Sequence, residues 1–281
     1  MQYVSYDIGT GARPASCAST NASATPPTDF TFTTDGLYTL WVIGYTSTTK
    51  CYVSETIVRV DTTAPTAAIT SPSTAFASNA TIPVRWTAAD VDGSGVANID
   101  IQVTRASAPG GTPTVLTTWH ATSASQSVSI TNALASSTYC FTARAHDAAG
   151  NSGQWSNPRC ITTPRDDRAL AAKTAGWKRS TATGFLANTY TSTSAIKASL
   201  ATSTSLKVNR VGIIATRCPT CGALAIYVGA TRVGDISLRS TTITSRAFIL
   251  LPAFAAARTG VVKFIVTTKA KLVRIDGALL S

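Results

Sequence analysis

Hydrophobic positions along this chain alternate with polar ones in short runs and hardly ever recur at helical spacing. In "IPVRWTAAD" Val84 and Trp86 share one side of an extended strand, and in "NIDIQVTR" Ile99, Ile101 and Val103 do the same. Near the C-terminus Val262, Phe264 and Val266 alternate with Lys263 and Ile265, and Val273 and Ile275 flank Arg274. A period of two buries one face of a strand and leaves the other to solvent, as in antiparallel sheets. Gly, Pro, Asn and Ser clusters break these runs every ~8–12 residues, the rhythm of a sandwich. The pattern predicts an all-β chain of tandem β-sandwich modules. No run approaches the roughly 18–20 consecutive apolar residues of a membrane helix.

At 281 residues the chain exceeds a typical single domain. Two stretches end one alternating run, pass through proline and polar residues, and begin another: "VRVDTTAPTAAITSPS" at 58–73 and "CITTPRDDRALAAK" at 160–173. They divide the chain into modules at 1–61, 62–164 and 165–281. In the middle module Trp86, on the second strand, and Leu134 with Tyr139 before "CFTARAHDAAGNSGQWS" resemble a fibronectin type III domain of the bacterial kind. The resemblance implies that Trp86 fills the core, that the Tyr139 hydroxyl bonds a nearby backbone group, and that Cys140 and Cys160 join the last two strands. The first module resembles a bacterial immunoglobulin-like repeat, with a similar corner at Tyr38 in "TTDGLYTLWVIGY", although it is short for a complete sandwich. The third, from "GW" through "ATRCPTCG" and "VGATRVGDISL" to "VRIDGALLS", is similar to a C-terminal module of secreted actinobacterial proteins and more loosely to jelly-roll carbohydrate-binding modules.

Cysteine usage bears on compartment. Cys17, Cys51, Cys140, Cys160, Cys218 and Cys221 fall into three sequence-local pairs, and an even count favours disulfides in an oxidising environment. Of the connectivities six cysteines allow, the most local pairs Cys17 with Cys51, Cys140 with Cys160 and Cys218 with Cys221, one bridge per module. The expected location is extracellular, secreted or wall-associated. Met1 is followed by "QYVSYDIGTG", with neither a charged nor an apolar leader region, so a signal peptide is expected outside this chain.

The Cys-x-x-Cys in "TRCPTCG" could serve redox chemistry, zinc binding or structure. A redox pair needs a helix N-terminus to lower the thiol pKa, whereas strand-like "VGIIATR" precedes this one and strand-like "ALAIYVG" follows. Zinc needs four ligands, yet the other cysteines have closer partners and the only histidines are His120 and His146, in the middle module. The expectation is a structural disulfide across a hairpin turn, with Pro219 suited to the turn.

Other site signals are thin. "AADVDGSGVA" opens like a calcium loop at Asp90, Asp92 and Ser94, but the twelfth position is Ile101 where a glutamate belongs. It reads as an Asx-rich turn, and no metal or cofactor is expected. Neither histidine lies in a nucleophile motif, His146 beside Asp147 reads as a turn residue, and Glu55 is the only glutamate. Catalysis is not expected.

Charge changes the picture more. Lys/Arg against Asp/Glu number 3 to 5 in residues 1–61, 4 to 4 in 62–164, and 17 to 4 in 165–281, for net charges of −2, 0 and +13. Such asymmetry points the last module at an anionic partner. Its candidate ligand residues are Trp177, Tyr190 and Tyr227, for stacking on sugar rings, with Arg217, Arg232 and Arg239 among the cations; Trp177 and Phe185 read equally as core anchors. Cell-wall polysaccharide, anionic or neutral, is the expected partner. No recognition helix or RNA-binding aromatic signature suggests specific nucleic acid binding. The functional expectation is a non-catalytic binding and spacer region; two alternatives are the accessory tail of a secreted glycosidase and a structural stalk, adhesin or filament subunit that self-associates through an open sheet edge.

Overall fold

A computed structural model of the chain describes residues 5–10, 31–47, 50–122 and 127–281. Among these the protein is all-β, with antiparallel sheets and only two short 3-10 turns, Asp167–Ala169 and Leu186–Asn188. Alternation explains this directly. Every second residue is buried from Ile82 to Trp86 and throughout Thr138–Asp147, so each strand has one inward face to contribute.

The first unit is one antiparallel sheet of Ser5–Thr10, Gly36–Ser47 and Lys50–Val60. Its buried cluster is small, Trp41 and Ile43 with Cys51 packed against them. The Tyr38 hydroxyl donates to Thr34 O at 2.9 Å, forming the anticipated corner. Leu37 and Ile57 of this sheet are exposed.

The middle unit is a sandwich. Thr66–Ser71, Ile82–Ala89 and Ser127–Ile130 form one sheet; Arg159–Thr162, Thr138–Asp147, Val96–Ala106 and Thr114–Thr122, in that spatial order, form the other. Ile69, Val84 and Trp86 meet Ile101, Val103 and Phe141 between them. Trp86 fills the core at 2% exposed. Leu134 N donates to the Tyr139 hydroxyl at 2.9 Å, as the tyrosine corner requires.

The last unit is a larger sandwich. One sheet runs Lys178–Thr181, Thr189–Thr193, Val273–Leu280, Val211–Arg217, Thr244–Leu250, with Arg165–Asp166 added on Val273–Leu280. The other runs Ala171–Ala172, Ser199–Ala201, Val262–Val266, Ala223–Val228, Thr231–Ser237. Leu200, Ile213, Ile226, Phe264 and Ile275 belong to the core between them. This sandwich is not strung loosely on its neighbour. Phe76 of the middle unit packs on Ile214 and Leu279 with Leu186 alongside, and Arg246 Nη2 donates to Ser78 O at 3.3 Å.

Candidate functional site

Both cysteine pairs that fall wholly on described residues are disulfides, Cys140–Cys160 and Cys218–Cys221. Cys140 and Cys160 are directly opposed in the pairing of Thr138–Asp147 with Arg159–Thr162. The Cys17–Cys51 pairing lies outside the described residues. The hairpin expected around "TRCPTCG" is corrected. Val211–Arg217 and Ala223–Val228 do not pair; each belongs to a different sheet, so the disulfide closes an arch over the mouth of the core. Both strands are apolar enough to sit in two facing sheets, and Cys218 and Cys221 are themselves buried in the core cluster. The arch gathers three chain segments, since Cys218 bridges Arg239 and Cys221 bridges Leu272.

That arch brings two of the anticipated cations together: Arg217 Nη2 donates to Arg239 O at 3.1 Å. Tyr190 is elsewhere, on the six-stranded sheet, with its ring engaged by Phe185 at 4.8 Å and by the Arg274 guanidinium at 4.6 Å. Trp177 is turned inward, packs against the core, and donates through Nε1 to Ser199 O at 3.2 Å. Tyr227 and Arg232 lie on the five-stranded sheet.

On that sheet the register builds a surface. Leu200, Phe264, Ile226 and Val228 face the core, so the residues between them face out. Across four strands Ala201 opposes Lys263, Lys263 opposes Tyr227, and Tyr227 opposes Arg232. The next outward row is Ser199, Ile265, Ala225 and Asp235. Tyr227 therefore stands between two cations, each about 4.8 Å away in strand spacing, beside a row that holds Ile265 and Asp235 as well as Ser199 and the buried Ala225. A bulge makes this possible. Residues three apart in a regular strand point to opposite faces, but the register shift between Ile226 and Tyr227 turns both Arg232 and Asp235 outward. Arg232 Nη2 then reaches Asp235 Oδ1 at 2.6 Å, and this hydrogen bond raises the guanidinium pKa further.

The carboxylates of this sandwich are otherwise turned inward. Asp167 is fully buried and accepts from the Thr189 hydroxyl at 2.6 Å and from the Thr191 hydroxyl. Asp276, also fully buried, accepts from Leu186 N at 2.7 Å and faces Arg246 Nε at 3.2 Å. Burial pushes its pKa up to about 6 against the opposing pull of Leu186 N and Arg246. Asp166 is raised as well, first by burial. Of the 17 cations in residues 165–281, only Arg168, Arg232 and Arg246 lie within ion-pair distance of a carboxylate. The surface field is accordingly positive.

Two features of the middle sandwich were not anticipated. His146 lies within strand Thr138–Asp147 and is not a turn residue; His146 Nε2 lies 3.0 Å from Asp100 Oδ2, and His120 Nδ1 lies 2.6 Å from Asp100 Oδ1. Arg144 Nη2 donates to the same carboxylate at 2.9 Å. Burial alone would raise the pKa of Asp100, but the bonds from Arg144, His146 and His120 outweigh it and hold it at about 2. Three donors on one buried carboxylate make a lock on the sheet face. The second feature is a groove of about 830 Å3 between Thr66–Ser71 and residues 153–159, with Trp155 on its wall and Arg144 stacked 4.7 Å from the Trp155 ring. Neither follows from local sequence, since each joins residues tens of positions apart.

Residues 101–164 match the family model for the interferon-alpha/beta receptor fibronectin type III domain. The match covers under half of the chain and falls on the middle sandwich. No protein of curated function matches. Among solved structures, a chitinase, ChiA74 from Bacillus thuringiensis, is similar at 15% identity and a TM-score of 0.25, over 78% of this chain and 29% of that one. A Paenibacillus xanthan lyase is similar at 13% and 0.34, over 88% and 22%. A structure of carbohydrate-binding modules from the β-sandwich superfamily is similar at 11% and 0.34, over 79% and 100%. The chain thus spans less than a third of the chitinase or the lyase. Together the fibronectin type III-like match and the sheets describe a multi-module β-sandwich protein.

Proposed function

We propose that the chain is a non-catalytic, extracellular binding region in which the outer face of the five-stranded sheet holds an anionic cell-wall polysaccharide. The observation that carries this reading is the in-register row Lys263–Tyr227–Arg232. Tyr227 supplies an apolar ring face for a sugar, and the two cations flank it to meet carboxylate or phosphate groups on the polymer. The inward use of Asp167 and Asp276 supports it, because it leaves the positive field of this sandwich largely uncompensated. Arg217 and Arg239 at the arch, and Lys178 and Arg274 on the other sheet, add to that field and to capture rather than to the row itself. The first and middle units, 1–61 and 62–164, serve as spacers in this reading.

The test is retention of the full chain on an acidic wall polymer across a salt series. Wild type is expected to bind at low salt and to release as ionic strength shortens the Debye length below about 8 Å. Exposed ion pairs are worth about 0.5–1 kcal/mol each, so Lys263→Gln with Arg232→Gln should weaken binding roughly tenfold and flatten the salt dependence. Tyr227→Ala should weaken binding without changing that dependence. Equal binding by all three proteins would overturn the assignment.

A further inference from the structure

The groove on the middle sandwich runs between edge strand Thr66–Ser71 and residues 153–159, which lead into the edge strand of the other sheet. Hydrogen bonds fix this second wall to strand Thr138–Asp147: Gly153 N donates to Ala145 O at 2.9 Å, Ser156 N donates to Ala143 O at 2.8 Å, and Ala143 N donates to Ser156 Oγ at 3.0 Å. Gly153 lies so close to Pro65 O that a β-carbon there would collide with it, so the two walls meet at that end. Ala67 and Ala68, being small, leave the rest open. The volume of about 830 Å3 is that of a small-ligand site.

Trp155, at 38%, is the one tryptophan of five that is exposed. It is held in that position. The Arg144 guanidinium lies 4.7 Å from the ring and does not itself line the groove, so it backs the indole from the far side. Arg144 is fixed in turn by Asp100 at 2.9 Å, against which His146 and His120 also rest. Around the ring the lining has no carboxylate and a single cation, Arg159, while Gln154 and Asn157 expose amides that both donate and accept. An electron-rich ring face beside neutral donors and acceptors suits the C–H face and hydroxyls of a sugar better than it suits an ion. An added peptide strand fits less well. Pro65 and Pro72 bracket Thr66–Ser71 and Pro158 interrupts the facing wall, and proline at a sheet edge discourages pairing.

We infer that this groove binds an uncharged oligosaccharide, with Trp155 as the stacking platform, Gln154 and Asn157 as the groups that meet its hydroxyls, and Arg144 and Asp100 as positioning residues that seat the ring. The site is distinct from the cationic row of the last sandwich, and it makes the middle unit more than a spacer.

The experiment titrates the full chain with hexasaccharides of β-1,4-linked glucose and of β-1,4-linked N-acetylglucosamine, read by tryptophan fluorescence and by hydrogen exchange. At least one is expected to bind, with new protection in residues 66–69 and 153–159, and to bind equally across a salt series because neither sugar carries charge. Trp155→Ala should weaken binding about tenfold or more. Gln154→Ala with Asn157→Ala should weaken it as well, and exchange in Ile82–Ala89 should stay unchanged in both proteins. Arg144→Met should weaken binding, whereas Arg144→Lys, which keeps a cation for the ring and for Asp100, should retain most of it. Tyr227→Ala and the Lys263→Gln, Arg232→Gln protein should bind these sugars as wild type does, so the outcome is independent of the wall-polymer test. Failure of both hexasaccharides to bind, protection confined to other segments, or undiminished binding by Trp155→Ala and by the amide variant overturns the proposal. Protection of residues 66–69 that grows with protein concentration alone also overturns it, by putting a second chain's strand in the groove.

Discussion

Replacing Asp276 by asparagine probes the balance that lets a fully buried carboxylate sit beneath a positively charged surface. Its pKa stands at about 6 against an ordinary 3.8. At about 1.4 kcal/mol per pKa unit, that shift corresponds to roughly 3 kcal/mol. The sign follows from proton linkage. Because the native carboxyl holds its proton more tightly than the unfolded one, the unfolded chain loses protons first as pH rises, and stability falls between about pH 4 and pH 6. Below that window the group is protonated in both states and costs nothing; above it the full penalty is present. Asp166 is shifted in the same direction. Asp100 is shifted oppositely, to about 2, so its contribution is lost only as pH falls below about 4 and does not overlap. Asp276→Asn keeps an acceptor for Leu186 N while removing the charge, so this part of the decline should vanish and the variant should gain up to about 3 kcal/mol above pH 6, less what Arg246 loses with its partner. Urea unfolding at pH steps across the window, with a labelling pulse read on the peptide containing Val273–Leu280, reports the stability of this sheet. A wild type whose stability is level across the window, or an asparagine variant that keeps the whole decline, refutes the reasoning.

Two further outcomes are expected. Converting Cys218 and Cys221 together to serine should lower the stability of the last sandwich by about 2 kcal/mol or more, from the four-residue loop and from polar atoms placed in its core; the same labelled unfolding on Ala223–Val228 peptides measures it, and an unchanged midpoint would show that the arch is held by packing alone. Tyr139→Phe leaves Leu134 N without its acceptor and should cost the middle sandwich about 1–2 kcal/mol, seen as a lower midpoint in Trp86 fluorescence; no loss would mean that water replaces the hydroxyl.

How much was legible depended on the range of the interaction. Trp86 in the core, the Tyr38 and Tyr139 corners and the Cys140–Cys160 staple were all readable, because the resemblance to fibronectin type III and immunoglobulin-like domains implies them and the staple is also the most local cysteine pairing. The "TRCPTCG" disulfide was readable too, but the turn it closes was not. Two apolar strands joined by a short link look alike whether they pair in one sheet or face each other across a core. The candidate ligand residues divided along the same line. Tyr227 and Arg232 come together across a bulge that no local signal marks, while Lys263, about 30 positions away, completes the row only through strand pairing. Tyr190 and Trp177 carried the same aromatic signal as Tyr227, yet one is engaged by Arg274 and Phe185 and the other by Ser199.

By itself the sequence determined that this is an all-β chain, where its alternating strands lie, and that its positive charge is concentrated in residues 165–281, because periodicity and composition are properties of neighbours along the chain. Only the tertiary structure decided which strands share a sheet, that Asp167 and Asp276 face inward, that Lys263, Tyr227 and Arg232 form one row, and that Asp61, Asp90 and Asp147 lie close together. Those depend on register and sheet packing, in which a shift of one residue turns every side chain of a strand to the other face.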